Sequence, residues 1–158
     1  MNDKKIAFII AVNNEQYFEE CCFYIHRLSV PAGYDIDIIA IREADSMCAA
    51  YNAGMNNSDA KYKVYMHQDV MIRNVQFIEN IIKIFKQNLK VGMIGMIGGT
   101  CMPETGVIYR AWDIGMVDCR DPDMAYYLEG QQNMPKKDVI VEAVDGLLMA
   151  TQYDITWR

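Results

Sequence analysis

The chain has 158 residues, 52% hydrophobic and 23% charged, enough apolar content for a globular core and too much for disorder or low complexity. Fifteen Lys and Arg against twenty-one Asp and Glu leave a net charge of −6, which argues against nucleic acid as a partner and gives no support for docking on anionic lipid. Five cysteines, an odd number with no C-x-x-C spacing, do not make a disulfide scaffold.

Ile6–Val12 is a continuous apolar run, as expected of a strand covered on both faces. Lys4 and Lys5 before it imitate a signal peptide, but Asn13-Asn14-Glu15 follows at once with no small-residue cleavage site. The run is far too short to span a bilayer, so no transmembrane segment and a cytoplasmic location are expected. Glu15–Leu28 places Phe18, Cys21, Cys22, Ile25 and Leu28 at helical spacing. Cys22 and His26 have the i,i+4 spacing of a metal pair, although packing on a core-facing helix accounts for them as well. Pro31-Ala32-Gly33 makes a turn, and Tyr34–Ile41 predicts a second strand.

Asp45 or Ser46 caps a helix running to about Asn56. Tyr62–Met66 predicts the third strand, and Asn74 caps a long helix to Lys90 with Phe77, Ile78, Ile81, Ile82, Phe85 and Leu89 inward. Val91–Ile97 predicts a fourth strand in a glycine-rich run whose Gly92, Gly95, Gly98 and Gly99 lack G-x-G-x-x-G spacing, so close strand packing explains them better than a dinucleotide site. From Thr100 to Asp138 the pattern weakens into loops, with Tyr109 and Trp112 suited to a small satellite core or a sugar ring, and Asp118, Asp121 and Asp123 to a solvated acidic loop. Val139–Val144 predicts a last strand before Asp145-Gly146. The twelve methionines scatter through apolar runs as core filler. Apolar runs alternating with amphipathic stretches predict one α/β domain over residues 1–158, with a mostly parallel sheet flanked by helices.

In an open α/β sheet, ligands bind beyond the carboxyl ends of the strands. Four polar clusters qualify: Asn13-Asn14-Glu15, Arg42-Glu43-Ala44-Asp45-Ser46, His67-Gln68-Asp69 and Asp145-Gly146. A carboxylate just past a buried strand, with an imidazole two residues earlier, can hold a divalent cation that bridges a diphosphate; Mg²⁺ or Mn²⁺ suits such a set. On spacing alone, Asp69 capping the next turn and His67 packing beside the sheet is the slightly better reading.

Ser46-Met47-Cys48-Ala49-Ala50-Tyr51-Asn52-Ala53-Gly54, read with Tyr62-Lys63-Val64-Tyr65-Met66-His67-Gln68-Asp69-Val70, resembles the family 2-like glycosyltransferases. There a small-residue A-x-x-N-x-G helix precedes a hydrophobic strand ending in an Asp-x-Asp metal motif. Ile9–Glu15 is similar to that family's first strand and nucleotide-contacting turn, and Val144–Ala150 to its later acceptor-side segment. The resemblance implies a GT-A-like nucleotide-diphospho-sugar transferase fold. It also implies an inverting glycosyltransferase that moves a sugar from a donor such as a UDP-sugar to a glycan or other hydroxyl acceptor. It puts Val12, Asn13 and Glu15 at the base and ribose, and Arg42, Glu43 and Ser46 along the same half of the cleft. Asn52 falls near the sugar or diphosphate, Gln68 beside the nucleotide, and Asp69 and His67 in the places of the two metal-motif acids, with Mn²⁺ or Mg²⁺ as cofactor. His-Gln-Asp in place of Asp-x-Asp is a departure, since an imidazole lacks a carboxylate's charge.

The family's general base usually lies beyond the segment matching Ala143–Asp154, whereas this sequence stops at Thr156-Trp157-Arg158. Three alternatives stand: a longer chain, a non-catalytic nucleotide-sugar-binding module, or Asp145 serving as the catalytic carboxylate. A receiver domain phosphorylated on Asp69 fits less well, because it needs an acidic pair after the first strand and a Lys after the last. Nothing in the sequence speaks to oligomeric state.

Overall fold

A computed structural model describes residues 1–107, 111–117 and 137–158. These residues form two compact units, Met1–Ile94 with Leu148–Arg158, and Gly95–Leu147. Tyr109, Asp118, Asp121 and Asp123 lie outside the described residues. Among the described residues no helix is long and apolar enough to cross a membrane.

In the first unit, β1 (Asn2–Val12), α1 (Glu15–His26), β2 (Asp35–Arg42), α2 (Met47–Asn56), β3 (Ala60–His67) and α3 (Phe77–Gln87) follow one another. The main sheet has the order β2-β1-β3-β8-β4, with β4 at Met93–Gly95 and β8 at Leu148–Thr151. β1 pairs in parallel with β2 and β3, while β8 runs antiparallel to β3. A central parallel strand must be apolar on both faces, and Ile6 through Ile10 are indeed fully buried. One face of the sheet packs Phe8, Ile10, Val64 and Met66 against Cys21 and Ile25 of α1 and Ile78, Ile81 and Phe85 of α3. Burial in this core pushes the Cys21 thiol up to about 12.

The opposite face receives α2. Here Gly54 earns its place sterically: a Cβ on it would stand 2.3 Å from Ile9 Cγ2. At Gly54, therefore, this helix approaches the sheet closely. Beside α2, Trp157 covers the same face, with its ring 5.6 Å from Tyr51 and 4.7 Å from Tyr65. Lys63, on the strand face it shares with Tyr65, is fully buried, and its ammonium donates to Ala60 O and Asp154 Oδ1, both at 2.6 Å.

The second unit centres on β5 (Ile97–Gly99), flanked by β6 (Ile114–Gly115) and β7 (Ala143–Val144), both antiparallel to it. A Cβ on Gly98 or Gly99 would fall 2.7 Å from a backbone oxygen, Ala143 O or Ala111 O, so the glycine run answers a packing demand. Trp112 and Ile97 form a satellite core here with Val117 and Leu147.

Several boundaries differ from the sequence expectation. The fourth predicted strand is two strands in two sheets, interrupted at Met96. Val139–Val144 narrows to Ala143–Val144, and the strand that joins the main sheet is Leu148–Thr151. The third helix starts at Phe77 rather than after Asn74, because the Asn74 side chain accepts from Gln76 N and its carbonyl from Phe77 N, closing a turn ahead of the helix.

Gly54→Ala is expected to destabilise the protein by about 1–3 kcal/mol through overpacking against Ile9. Chemical denaturation will read this, and adding Ile9→Ala should give a less-than-additive loss. Asp154→Ala strands the Lys63 charge and should cost about 2–3 kcal/mol, somewhat below a fully buried pair because Asp154 is 45% exposed. Lys63→Met in that background should recover most of the loss.

Candidate functional site

The parallel register decides which loops share an edge. Val12 lies opposite Arg42, and Ala11 opposite His67, so β1, β2 and β3 all end at the same side of the sheet. The segments 13–15, 43–46 and 68–69 leave from that side together. Three of the four sequence clusters therefore converge. Asp145, the fourth, belongs to the second unit. Its backbone N–H donates to Ile97 O at 2.9 Å, and its Oδ1 accepts from Leu147 N at 2.9 Å, which closes a turn.

At the start of α1, Asn14 is the N-cap, its side chain accepting from Tyr17 N at 3.2 Å. Glu15 and Arg42 form a bidentate pair, Nε to Oε1 at 2.7 Å and Nη2 to Oε2 at 2.8 Å, which bridges the first and second clusters. The Arg42 guanidinium also lies 5.4 Å from the Phe18 ring centroid. Hydrogen bonding to Arg42 lowers the Glu15 carboxyl below its ordinary range. Glu43 has a left-handed backbone with φ of 55°, a conformation that costs a non-glycine residue roughly 1–2 kcal/mol. Ser46, not Asp45, caps α2, its Oγ accepting from Ala49 N at 3.1 Å.

Asn52 is engaged away from this edge. Its amide donates to Trp157 O and accepts from Trp157 N, both at 2.9 Å, so both ends of the carboxamide hold the C-terminal segment. Gln68 is likewise engaged: its Oε1 accepts from Asn13 N at 2.8 Å and Asn14 N at 2.9 Å, and its Nε2 donates to Asn13 Oδ1. Val12 is 6% exposed and contributes to the core.

Asp69 is exposed and makes no hydrogen bond or ion pair among the described residues. It sits in the turn closed by Val70 N on His67 O at 3.3 Å, but its side chain does not cap that turn. The buried Nε2 of His67 has no hydrogen-bond partner among the described residues. Among the described residues no group of three or more His, Cys, Asp and Glu could hold a metal ion, so Asp69 and His67 would supply two protein ligands at most. The pairing of Cys22 with His26 is local: His26 Nδ1 meets the Cys22 carbonyl at 2.7 Å. A cleft of about 240 Å³ lined by Tyr24, Arg27, Ile72, Arg73 and Val75 contains none of the sequence candidates.

Sequence reasoning missed two features of this edge. Phe18 beneath Arg42 reads in the sequence only as one apolar position of α1. The capping role of Asn14 was open to discovery, since Asn directly before an amphipathic stretch is a common helix start.

Arg42→Met should return the Glu15 carboxyl to its ordinary titration range, read from its side-chain carboxyl signal in an NMR pH titration. Because the folded value is depressed, the contribution of the pair is present at neutral pH. It fades as pH falls through that lowered value.

Residues 7–158 match the family model described as Glycosyltransferase like family. No curated protein matches the chain.

Proposed function

Because the chain belongs to this glycosyltransferase-like family, we propose that it binds a nucleotide-diphospho-sugar at the carboxyl edge of β1, β2 and β3 and transfers the sugar to a hydroxyl of a glycan or other acceptor, with inversion. The observation that supports this reading is the common edge from which Asn13–Glu15, Arg42–Ser46 and His67–Asp69 emerge. A crevice outside the carboxyl ends of parallel strands is where open α/β sheets take up nucleotides.

In this reading the Asn13–Glu15 turn receives the base and ribose, and the diphosphate lies toward His67 and Asp69. Among the described residues the exposed Asp69 carboxylate has no hydrogen-bond or ion-pair partner, and the His67 Nε2 has no hydrogen-bond partner. One carboxylate and one imidazole fit Mn²⁺ or Mg²⁺ of the kind that takes its other positions from substrate phosphate and water. Such an ion, when bound, neutralises charge on the departing nucleoside diphosphate. Arg42 is already neutralised by Glu15, so its role is to brace this edge rather than to meet phosphate as a free cation. Glu43, held in its left-handed conformation between Arg42 and the Ser46 cap, leaves from the same edge.

Calorimetric titration with UDP- and GDP-sugars in the presence of Mn²⁺ tests the proposal. At least one donor should bind, and Asp69→Asn should weaken that binding by about tenfold or more, the scale of one lost charged contact. Absence of binding by every donor, or equal affinity in the variant, defeats it.

A further inference from the structure

Gln68 lies between His67 and Asp69, yet its carboxamide is committed to the loop that follows β1. Register between β1 and β3 ends at Ala11 opposite His67. Beyond that point no further ladder pair joins these two strands among the described residues, and the turn at Asn13 and Asn14 is held to β3 by the Gln68 side chain. Its Oε1 takes both backbone N–H groups, at 2.8 and 2.9 Å, and its Nε2 donates to Asn13 Oδ1. An amide oxygen has two lone pairs, so that acceptor is full. The side chain thus stands in for the next rung of the sheet.

The same turn is fixed from its other end by Asn14, which caps α1 through Tyr17 N. Asn13 and Asn14 are exposed, so without Gln68 water can take over both N–H groups and the fold survives. What changes is the range of conformations open to the turn. A loop ordered before its ligand arrives pays less of the binding cost than one ordered by the ligand.

We propose that Gln68 is a positioning residue: it holds the Asn13-Asn14 turn in the conformation that accepts the nucleoside of the donor, and does not itself contact the donor. This role rests on the reading of the edge as a donor site. It differs from a nucleotide contact by Gln68, which would use the same side chain in a different way.

The test compares Gln68→Met, similar in length but without an acceptor, with Gln68→Glu, which keeps the acceptor for both backbone N–H groups. Amide hydrogen exchange at Asn13 and Asn14 reports the clasp independently of any ligand. In Gln68→Met the two amides should exchange about tenfold faster or more, and the donor Kd and KM should rise about tenfold with kcat nearly unchanged, the pattern of lost uniform binding. Gln68→Glu should restore amide protection, its second oxygen accepting from Asn13 once that carboxamide turns to present Nδ2 in place of Oδ1. The proposal is overturned if Gln68→Met lowers kcat at constant KM, if it leaves exchange and donor affinity as in the unaltered protein, or if Gln68→Glu leaves the two amides as unprotected as the Met variant does. Failure of the donor reading would look different: the unaltered protein would protect both amides and bind no nucleotide-sugar at all.

Discussion

Parallel pairing of β1 with a neighbour on each side is the constraint from which the rest of the first unit follows. Because β1 is central, both of its faces must be covered, and the connections back to parallel strands must cross over the sheet. Helices α1 and α3 supply one cover and α2 the other, the latter close enough that Gly54 meets Ile9. Pairing also sets the ends. With Val12 opposite Arg42 and Ala11 opposite His67, three polar segments are delivered to one side. A slip of one residue would exchange Phe8 and Ile10 for Ala7 and Ile9 on the α1 and α3 face, so the core that stabilises the sheet also guards the alignment of the site.

At that side, short-range polar contacts sort the candidate residues into different tasks. Glu15 and Arg42 neutralise each other, Asn14 and Ser46 cap helices, and Gln68 ties one loop to another. Among the described residues at this side, the Glu43, Asp45 and Asp69 carboxylates and one nitrogen of His67 remain uncommitted. An edge with most of its polar groups already satisfied is a stiff frame around a small number of free ones, which is how a binding constellation keeps its geometry before a ligand arrives.

The face opposite α1 and α3 shows how the C-terminal segment contributes. Asn52 holds both backbone groups of Trp157, Tyr51 and Tyr65 receive its ring, and Asp154 reaches the buried Lys63 ammonium. Helix α2 therefore has one side against the sheet at Gly54 and another against the Trp157 segment. The second unit is organised separately, around the glycines of β5 and the Trp112 cluster, with Asp113 held below its ordinary range by hydrogen bonds from the Thr100 side chain and backbone.

The amino-acid sequence by itself determined the class of fold, the order β-α-β-α-β-α over the first part of the chain and the three polar clusters after its first three strands. Those properties come from periodicity, from runs such as Ile6–Val12 and from short-range capping, all of which a single segment carries within itself. It did not determine that Val91–Ile97 would divide between two sheets, that Leu148–Thr151 would be the strand beside β3, or that Asn52 would hold Trp157. Nor could it separate Gln68, which is committed, from Asp69, which is not, though they are adjacent in the chain. Each of these depends on which partner a residue meets from outside its own segment, as in the separations of 55 and 105 residues at Gln68 and Asn52. Only the folded chain brings such partners within hydrogen-bonding distance, so only the tertiary structure could assign them.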